Sequence, residues 1–92
     1  MANVCPTPFA IDSFQAMIHL ELLAVVWDIE VEWINGPMEA EAFPAARLVR
    51  IPRPRSRALF LIGLHEFGHV AAGPDERAAW KWAHDQVADA RL

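Results

Sequence analysis

Residues 59–85 read LFLIGLHEFGHVAAGPDERAAWKWAHD, and this stretch decides both the fold and the candidate chemistry. A serine stands before the apolar run and can cap a helix over residues 56–72. Gly73 and Pro74 interrupt that helix, and a proline suits the first turn of a following helix. We therefore predict a second helix over residues 74–90, joined to the first by a tight corner.

The first helix carries His65 and His69, which are four residues apart. That spacing places both imidazoles on one helix face, where they can hold a single metal ion. Glu66 lies one step around the helix, within reach of a water molecule on that metal. Zinc acidifies such a water and polarises a carbonyl group, and a carboxylate beside it acts as general base. The motif thus predicts a Zn²⁺ centre with Glu66 as the catalytic residue.

A third protein ligand is expected from the second helix. Glu76 heads its apolar stripe and should face the core, whereas Asp85 lies about 180° away and should face solvent. That stripe consists of Ala79, Ala83, Val87 and Ala90. Asp75 is the alternative ligand, because it follows His65 by ten residues, as in metzincin proteases; it also suits the helix dipole as a first-turn acid. Glu76 is favoured, and Asp75 stays open.

A donor that stabilises a developing oxyanion is the next requirement of such a site. The chain contains no tyrosine. His84 on the second helix is one candidate, and an arginine of the segment 47–57 is another. A histidine at such a position is more often simply half-exposed.

The upstream half predicts one helix and two strands. Apolar residues at helical spacing favour a helix from Asp12 or Ser13 to about Leu23. In VWDIEVEWI, residues 26–34, large apolar residues from Trp27 onward alternate with acids, which indicates a strand with one buried face. The order of elements predicts an α+β domain: an N-terminal helix, a small two- to three-stranded sheet, the motif helix and a C-terminal helix.

The second predicted strand is ARLVRIP, residues 46–52. Pro52 and Pro54 cannot donate to a strand ladder, so an edge position is expected. Residues 36–45 are expected to form a loop with at most a short turn. An edge strand beside the motif helix would be able to pair with the backbone of an extended substrate.

Length and composition fit one small soluble domain. The 92 residues are 54% hydrophobic and 22% charged, which predicts a single domain with residues 1–11 as an extended tail. We predict a cytoplasmic protein without a membrane span. The chain has a single cysteine, Cys5, its N-terminal segment lacks basic residues and is interrupted by prolines, and its apolar runs are short. The net charge of −4 argues against nucleic-acid binding. Five arginines lie within residues 47–57, and we expect them to balance the acidic strand before them.

At residues 61–72 and 76–83, LIGLHEFGHVAA followed by ERAAWKWA, the chain resembles the ImmA/IrrE-type zinc metallopeptidases, a gluzincin-like family. The resemblance implies a minimal zincin fold, with His65, His69 and Glu76 as zinc ligands and Glu66 as catalytic base. It also implies a protein substrate such as a transcriptional regulator or repressor, often of a phage or mobile element. The chain departs from the family in the short segment VAAGPD and in Ile62, where members usually have threonine.

Two functions follow from these residues. The first is a small zinc endopeptidase that hydrolyses a peptide bond in a protein substrate. The alternative is a non-catalytic protein-interaction module whose small core is stapled by zinc. Structural zinc sites are usually closed by four protein ligands, whereas three ligands and a neighbouring glutamate favour catalysis.

Overall fold

The computed structural model describes residues 13–90 of the chain, so the predicted tail 1–11 and Asp12 lie outside the described residues. Three helices and three strands make up the described part. They are α1 (Ser13–Trp27), β1 (Glu30–Ile34), β2 (Glu41–Phe43), β3 (Leu48–Pro52), α2 (Arg57–Ala72) and α3 (Glu76–Ala90), with single 3₁₀ turns on either side of β2. The predicted α+β class is confirmed as three helices and a three-stranded mixed sheet.

The sheet has the order β1-β3-β2, with β3 parallel to β1 and antiparallel to β2. The prediction that ARLVRIP forms an edge strand is therefore wrong, because β3 is the central strand. Pro52 is tolerated because it is the last residue of β3, and Pro54 lies beyond the strand. Residues 36–45 were predicted to be a loop, but their three-residue strand β2 is the second edge of the sheet.

Helix α1 continues to Trp27, four residues beyond its predicted end. Trp27 was predicted to begin the first strand, and that assignment is wrong. A residue distant in sequence satisfies the carbonyl groups at the end of this helix. The Arg47 guanidinium donates hydrogen bonds to the carbonyl oxygens of Trp27 and Asp28. Capping of the last carbonyls by a distant arginine leaves no trace in the local sequence pattern.

The core lies between the sheet and the inner faces of the helices. The side chain of Ser56 accepts a hydrogen bond from the backbone N–H of Leu59, which confirms the predicted cap of α2. From there α2 packs on β3 and β2, and α3 packs along α2. The buried hydrophobic residues are Ala16, Leu20, Ile29, Val49, Ile51, Phe60, Leu64, Phe67, Ala79, Ala83 and Val87. No helix within residues 13–90 has the length and apolar character needed to cross a membrane.

Candidate metal centre

The corner between α2 and α3 brings together two imidazoles and one carboxylate. The Nε2 atom of His69 lies 2.6 Å from Oε1 of Glu76, and Nε2 of His65 lies 3.4 Å from Oε2 of the same carboxylate. One donor atom from each residue falls within 4.8 Å of the others. Glu76 was predicted from helical phase to face the core, but its side chain is 71% exposed. Its carboxylate nevertheless lies beside both histidines, and the three residues can hold a metal ion.

The hydrogen bond of His69 explains why the set of His65, His69 and Glu76 is suited to bind a cation. Its Nδ1 atom lies 3.1 Å from the carbonyl oxygen of Gly73, and because a carbonyl only accepts, Nδ1–H must donate. The neutral imidazole then presents a lone pair at Nε2, facing a Glu76 oxygen that is itself an acceptor. Two acceptors at this distance need a proton or a metal ion between them. A second hydrogen bond that fixes the tautomer is typical of metal-binding histidines.

His65 is held in a different way. It is buried, and that burial lowers its pKa against the opposing influence of Glu76, so the neutral, metal-binding form is favoured. Its ring stacks on the indole of Trp80, with centroids 4.1 Å apart and planes 22° from parallel. No hydrogen-bond partner for His65 Nδ1 is found within residues 13–90. The stack, the edge-on contact with the His69 ring at 4.6 Å and the approach of Glu76 together orient this imidazole.

Sequence reasoning missed Trp80. A signal was present, because Trp80 follows Glu76 by four residues and so shares its face of α3. A half-exposed tryptophan one helical turn from Glu76 is placed to cover His65, the imidazole that Glu76 approaches. The size and flatness of the indole explain why it can stack on His65 while leaving the ligand nitrogen open.

A close approach of the two helices sets these distances. A Cβ atom on Gly68 would lie 2.6 Å from the backbone oxygen of Ala79, so only glycine fits at this crossing. Gly73 ends α2 with a φ of 104°, a conformation that side chains other than glycine rarely adopt. Together the two glycines allow α3 to fold back tightly, which brings Glu76 over the histidine pair.

Glu66 is half-buried on α2, directly after His65 in the chain. Burial raises the pKa of its carboxyl group, and the negative charges of Glu76 and Glu41 raise it further, against the opposing influence of His69. A carboxylate whose pKa moves toward neutrality is suited to accept and return a proton. Glu41 belongs to β2, and this strand packs against α2, the helix that carries Glu66.

The other candidate residues take different places. Asp75 accepts a hydrogen bond from the backbone N–H of Ala78, so its carboxylate caps α3 and is not part of the donor group. Asp85 pairs with Lys81 on the exposed face, as its helical phase predicted. His84 is exposed, with its ring centroid 6.2 Å from that of Trp80, and its role stays a prediction.

The arginine segment is largely used by the fold. Arg47 caps α1, as described above, and Arg50 pairs with Glu32 of β1 at 3.4 Å, which agrees with the expected balance of the acidic strand. Arg53 lies over the ring of Trp33 at 5.9 Å. These three positions are therefore engaged in contacts with α1 and β1, which leaves the donor for a developing oxyanion unassigned.

Comparison of the chain with protein-family models, curated protein sequences and solved structures finds no match. The interpretation of this centre therefore rests on its own residues. They provide two imidazole nitrogens, one carboxylate and an adjacent glutamate of raised pKa at one helix corner.

Proposed function

We propose that this chain is a small zinc-dependent metallopeptidase that hydrolyses a peptide bond in a protein substrate. The observation that carries the proposal is the convergence of His65, His69 and Glu76, with Glu66 next to the first of them on α2. A purely structural histidine pair has no need of a half-buried glutamate beside it. Desolvating such a glutamate costs free energy, and a catalytic role for its carboxyl group would account for its position.

The donor set supports zinc as the metal. Two imidazole nitrogens and one carboxylate oxygen form a borderline-soft set that suits Zn²⁺, and three protein ligands leave a coordination position free for catalysis. When bound, zinc supplies a Lewis acid that polarises a carbonyl group and makes a water molecule more acidic.

The chain's own residues supply the rest of the reaction. A carboxylate oxygen of Glu66 accepts a proton from the attacking water and returns it to the nitrogen of the leaving amine. Burial raises the pKa of this carboxyl group, which makes its carboxylate a stronger proton acceptor. His65 and His69 would hold the metal through their ring nitrogens, with His65 stacked on Trp80 and His69 bonded to the Gly73 carbonyl. His84 stays a candidate for stabilising the oxyanion.

The substrate would bind in extended form along β2. Two observations support this strand: it is an edge of the sheet within residues 13–90, and it packs against α2, where the charge of its Glu41 raises the pKa of Glu66. Pairing with an edge strand gives affinity through backbone hydrogen bonds and therefore tolerates many side chains. This assignment replaces the expected role of ARLVRIP, which is excluded because β3 already has a neighbour on each side. A regulatory protein with an exposed extended segment is the substrate class that we propose.

The test is cleavage of a proteome-derived peptide library, with new N-termini counted by mass spectrometry. Zinc-loaded wild-type chain is compared with Glu66→Gln, and bound metal is measured in both. We expect Glu66→Gln to keep its zinc and lose cleavage by at least about a hundredfold, because it cannot accept the proton. Asp85→Asn, on the exposed face of α3, is the matched control and should cleave as wild type.

The same experiment separates the alternative function. His65 and His69 lie on α2 and Glu76 lies on α3, so a bound metal would also link the two helices and stabilise the fold, as in a non-catalytic interaction module. Zinc binding without any cleavage by the wild-type chain would favour that module. Equal cleavage by wild type and Glu66→Gln would overturn the proposed role of Glu66.

A further inference from the structure

A narrow cleft lies where strands β1 and β3 end, beside the first turn of α2. Its volume is about 60 Å³. Ile34 and Pro52 are the last residues of these two parallel strands, so the cleft lies outside their carboxyl ends. Crevices at this end of parallel strands are common ligand sites in α/β sheets. The residues that line the cleft are Ile34, Asn35, Pro52, Arg53, Arg55 and Leu59.

Two arginines give this cleft its charge. Arg53 and Arg55 are both exposed, and neither guanidinium has an ion-pair partner within residues 13–90. The earlier arginines of the same segment differ, because Arg47 is bound to the end of α1 and Arg50 pairs with Glu32. The fold therefore uses the first two side chains for its own contacts and leaves two positive charges at the cleft.

The backbone that carries these two arginines is fixed. Pro52 and Pro54 alternate with them along the chain, and both prolines are fully buried. The backbone N–H of Arg55 donates a hydrogen bond of 2.8 Å to the carbonyl oxygen of Arg53, which closes a turn around Pro54. Proline also restricts its own φ angle, so little backbone entropy remains to be lost when a ligand binds at this turn.

Neighbouring side chains on β1 and at its end complete the donor set. The Arg53 guanidinium carbon lies 5.9 Å from the ring centroid of Trp33. Such a contact is made with the electron density of the ring and does not use the N–H groups of the arginine, so they remain able to bind an anion. The side chain of Asn35 lines the same cleft and offers an amide NH₂ donor.

We propose that this cleft binds a phosphate group. Guanidinium groups match phosphate oxygens through paired N–H···O bonds, and two of them balance the charge of a phosphate monoester near neutral pH. A cavity needs roughly 10–15 Å³ to hold one water molecule, so the cleft has room for about four atoms of that size, which is close to the size of a phosphate group. Its lining contains no carboxylate that would favour a cation instead.

The phosphate cleft is separate from the candidate metal centre. Leu59 precedes His65 by six residues on α2, which corresponds to about 9 Å along the helix axis. The proposal therefore does not depend on the proposed peptidase activity. A phosphate group in the cleft would contact residues from the ends of β1 and β3 and from the segment that leads into α2, and so would stabilise the folded chain.

The test is titration of the full 92-residue chain with inorganic phosphate at constant ionic strength, followed by nuclear magnetic resonance. We expect the side-chain signals of Arg53, Arg55 and Asn35 to shift with one dissociation constant. Arg55→Gln should raise that constant by about tenfold or more, because it removes a charge-assisted contact. Arg77→Gln removes the same charge from an exposed position of α3 and is the matched control, which should bind as wild type. An unchanged constant in Arg55→Gln, or signals that do not saturate, would overturn the proposal.

Phosphate can also bind to a metal ion, and a further variant separates the two sites. His69→Ala removes a donor of the candidate metal centre. It should bind phosphate as tightly as wild type, because the cleft lies apart from that centre. Loss of phosphate binding in His69→Ala would place the anion on a metal ion and contradict the proposal.

Competing ligands test the chemistry of the group and identify its source. Acetate should compete about tenfold less well than phosphate or worse, because it has fewer oxygens and a single charge. Phosphoserine that binds more tightly than inorganic phosphate would support a phosphorylated organic ligand, whereas equal binding would support free phosphate. Equal competition by acetate would show a general attraction of anions to the arginines and would contradict a phosphate site.

Discussion

At the scale of single residues, the two histidines of the centre are oriented by different contacts. His69 has a hydrogen bond to a backbone carbonyl, whereas His65 stacks on the indole of Trp80. Outer contacts of this kind contribute about 10- to 100-fold to metal affinity. We therefore predict that Trp80→Leu weakens Zn²⁺ binding by about tenfold or more, as measured by competition with a chelating dye. Trp80→Phe should restore most of the affinity, because a flat ring can still stack.

The control for this substitution is Trp82→Phe. Trp82 lies on the same helix but contacts Trp27 edge-on, with centroids 5.9 Å apart, away from the histidines. Its replacement should change stability without changing zinc affinity. Equal zinc affinity in Trp80→Leu and wild type would show that the stack does not position His65.

His19 is a second histidine whose environment has a measurable consequence. Its Nε2 atom is buried without a hydrogen-bond partner in residues 13–90, its ring meets Phe60 edge-on, and burial lowers its pKa from 6.5. As pH falls through 6.5, the unfolded chain takes up a proton that the folded chain resists. The contribution of His19 to the free energy of unfolding should therefore be constant above this pH and decrease below it.

Urea unfolding at a series of pH values measures this contribution, with His19→Phe for comparison. The variant keeps an apolar ring against Phe60 but cannot titrate. Its free energy of unfolding should therefore decrease less than that of wild type as the pH falls below 6.5. Identical pH profiles for the two chains would contradict the lowered pKa.

At the scale of elements, the α2–α3 crossing at Gly68 controls the metal centre. We predict that Gly68→Ala lowers the free energy of unfolding by about 1–3 kcal/mol or more, because the new methyl group meets the backbone of Ala79. It should also weaken zinc binding, since α3 and Glu76 must move outward. Thermal unfolding and zinc titration measure the two effects. Gly36→Ala is the matched control, because nothing lies within 4 Å of its added Cβ atom.

The elements also show which parts of the fold the sequence predicts. The apolar run after Ser56 and the Gly73-Pro74 interruption predicted α2 and α3 to within two residues, because caps and helix breakers are local signals. The place of β3 could not be predicted in the same way. Strand order depends on pairing between distant segments, and the three-residue β2 is too short to carry a period.

The candidate centre was predictable to a similar degree. The spacing of His65 and His69, and the phase of Glu76, predicted that the three would meet, because both helices are regular. Trp80, the Gly68 contact and the hydrogen bond of His69 to Gly73 arise only from the crossing of the two helices. Tertiary contacts of this kind have no local pattern in the chain.

At the scale of the whole molecule, a bound metal would link α2 to α3 and so stabilise the native state. Ligand that binds only the folded chain adds about 2.7 kcal/mol of stability at a free concentration 100 times its dissociation constant. We predict that a chelator lowers the melting temperature of zinc-loaded wild type, as measured by calorimetry. Glu76→Gln should respond much less, and an equal response would exclude Glu76 as a ligand.

We propose that His65, His69 and Glu76 form a zinc centre. The most direct test is the zinc content per chain of the purified protein, measured by mass spectrometry of the elements after dialysis against metal-free buffer with added zinc. We expect one tightly held zinc per wild-type chain, and a marked loss in both His69→Ala and Glu76→Gln. A wild-type chain that retains no zinc would contradict it.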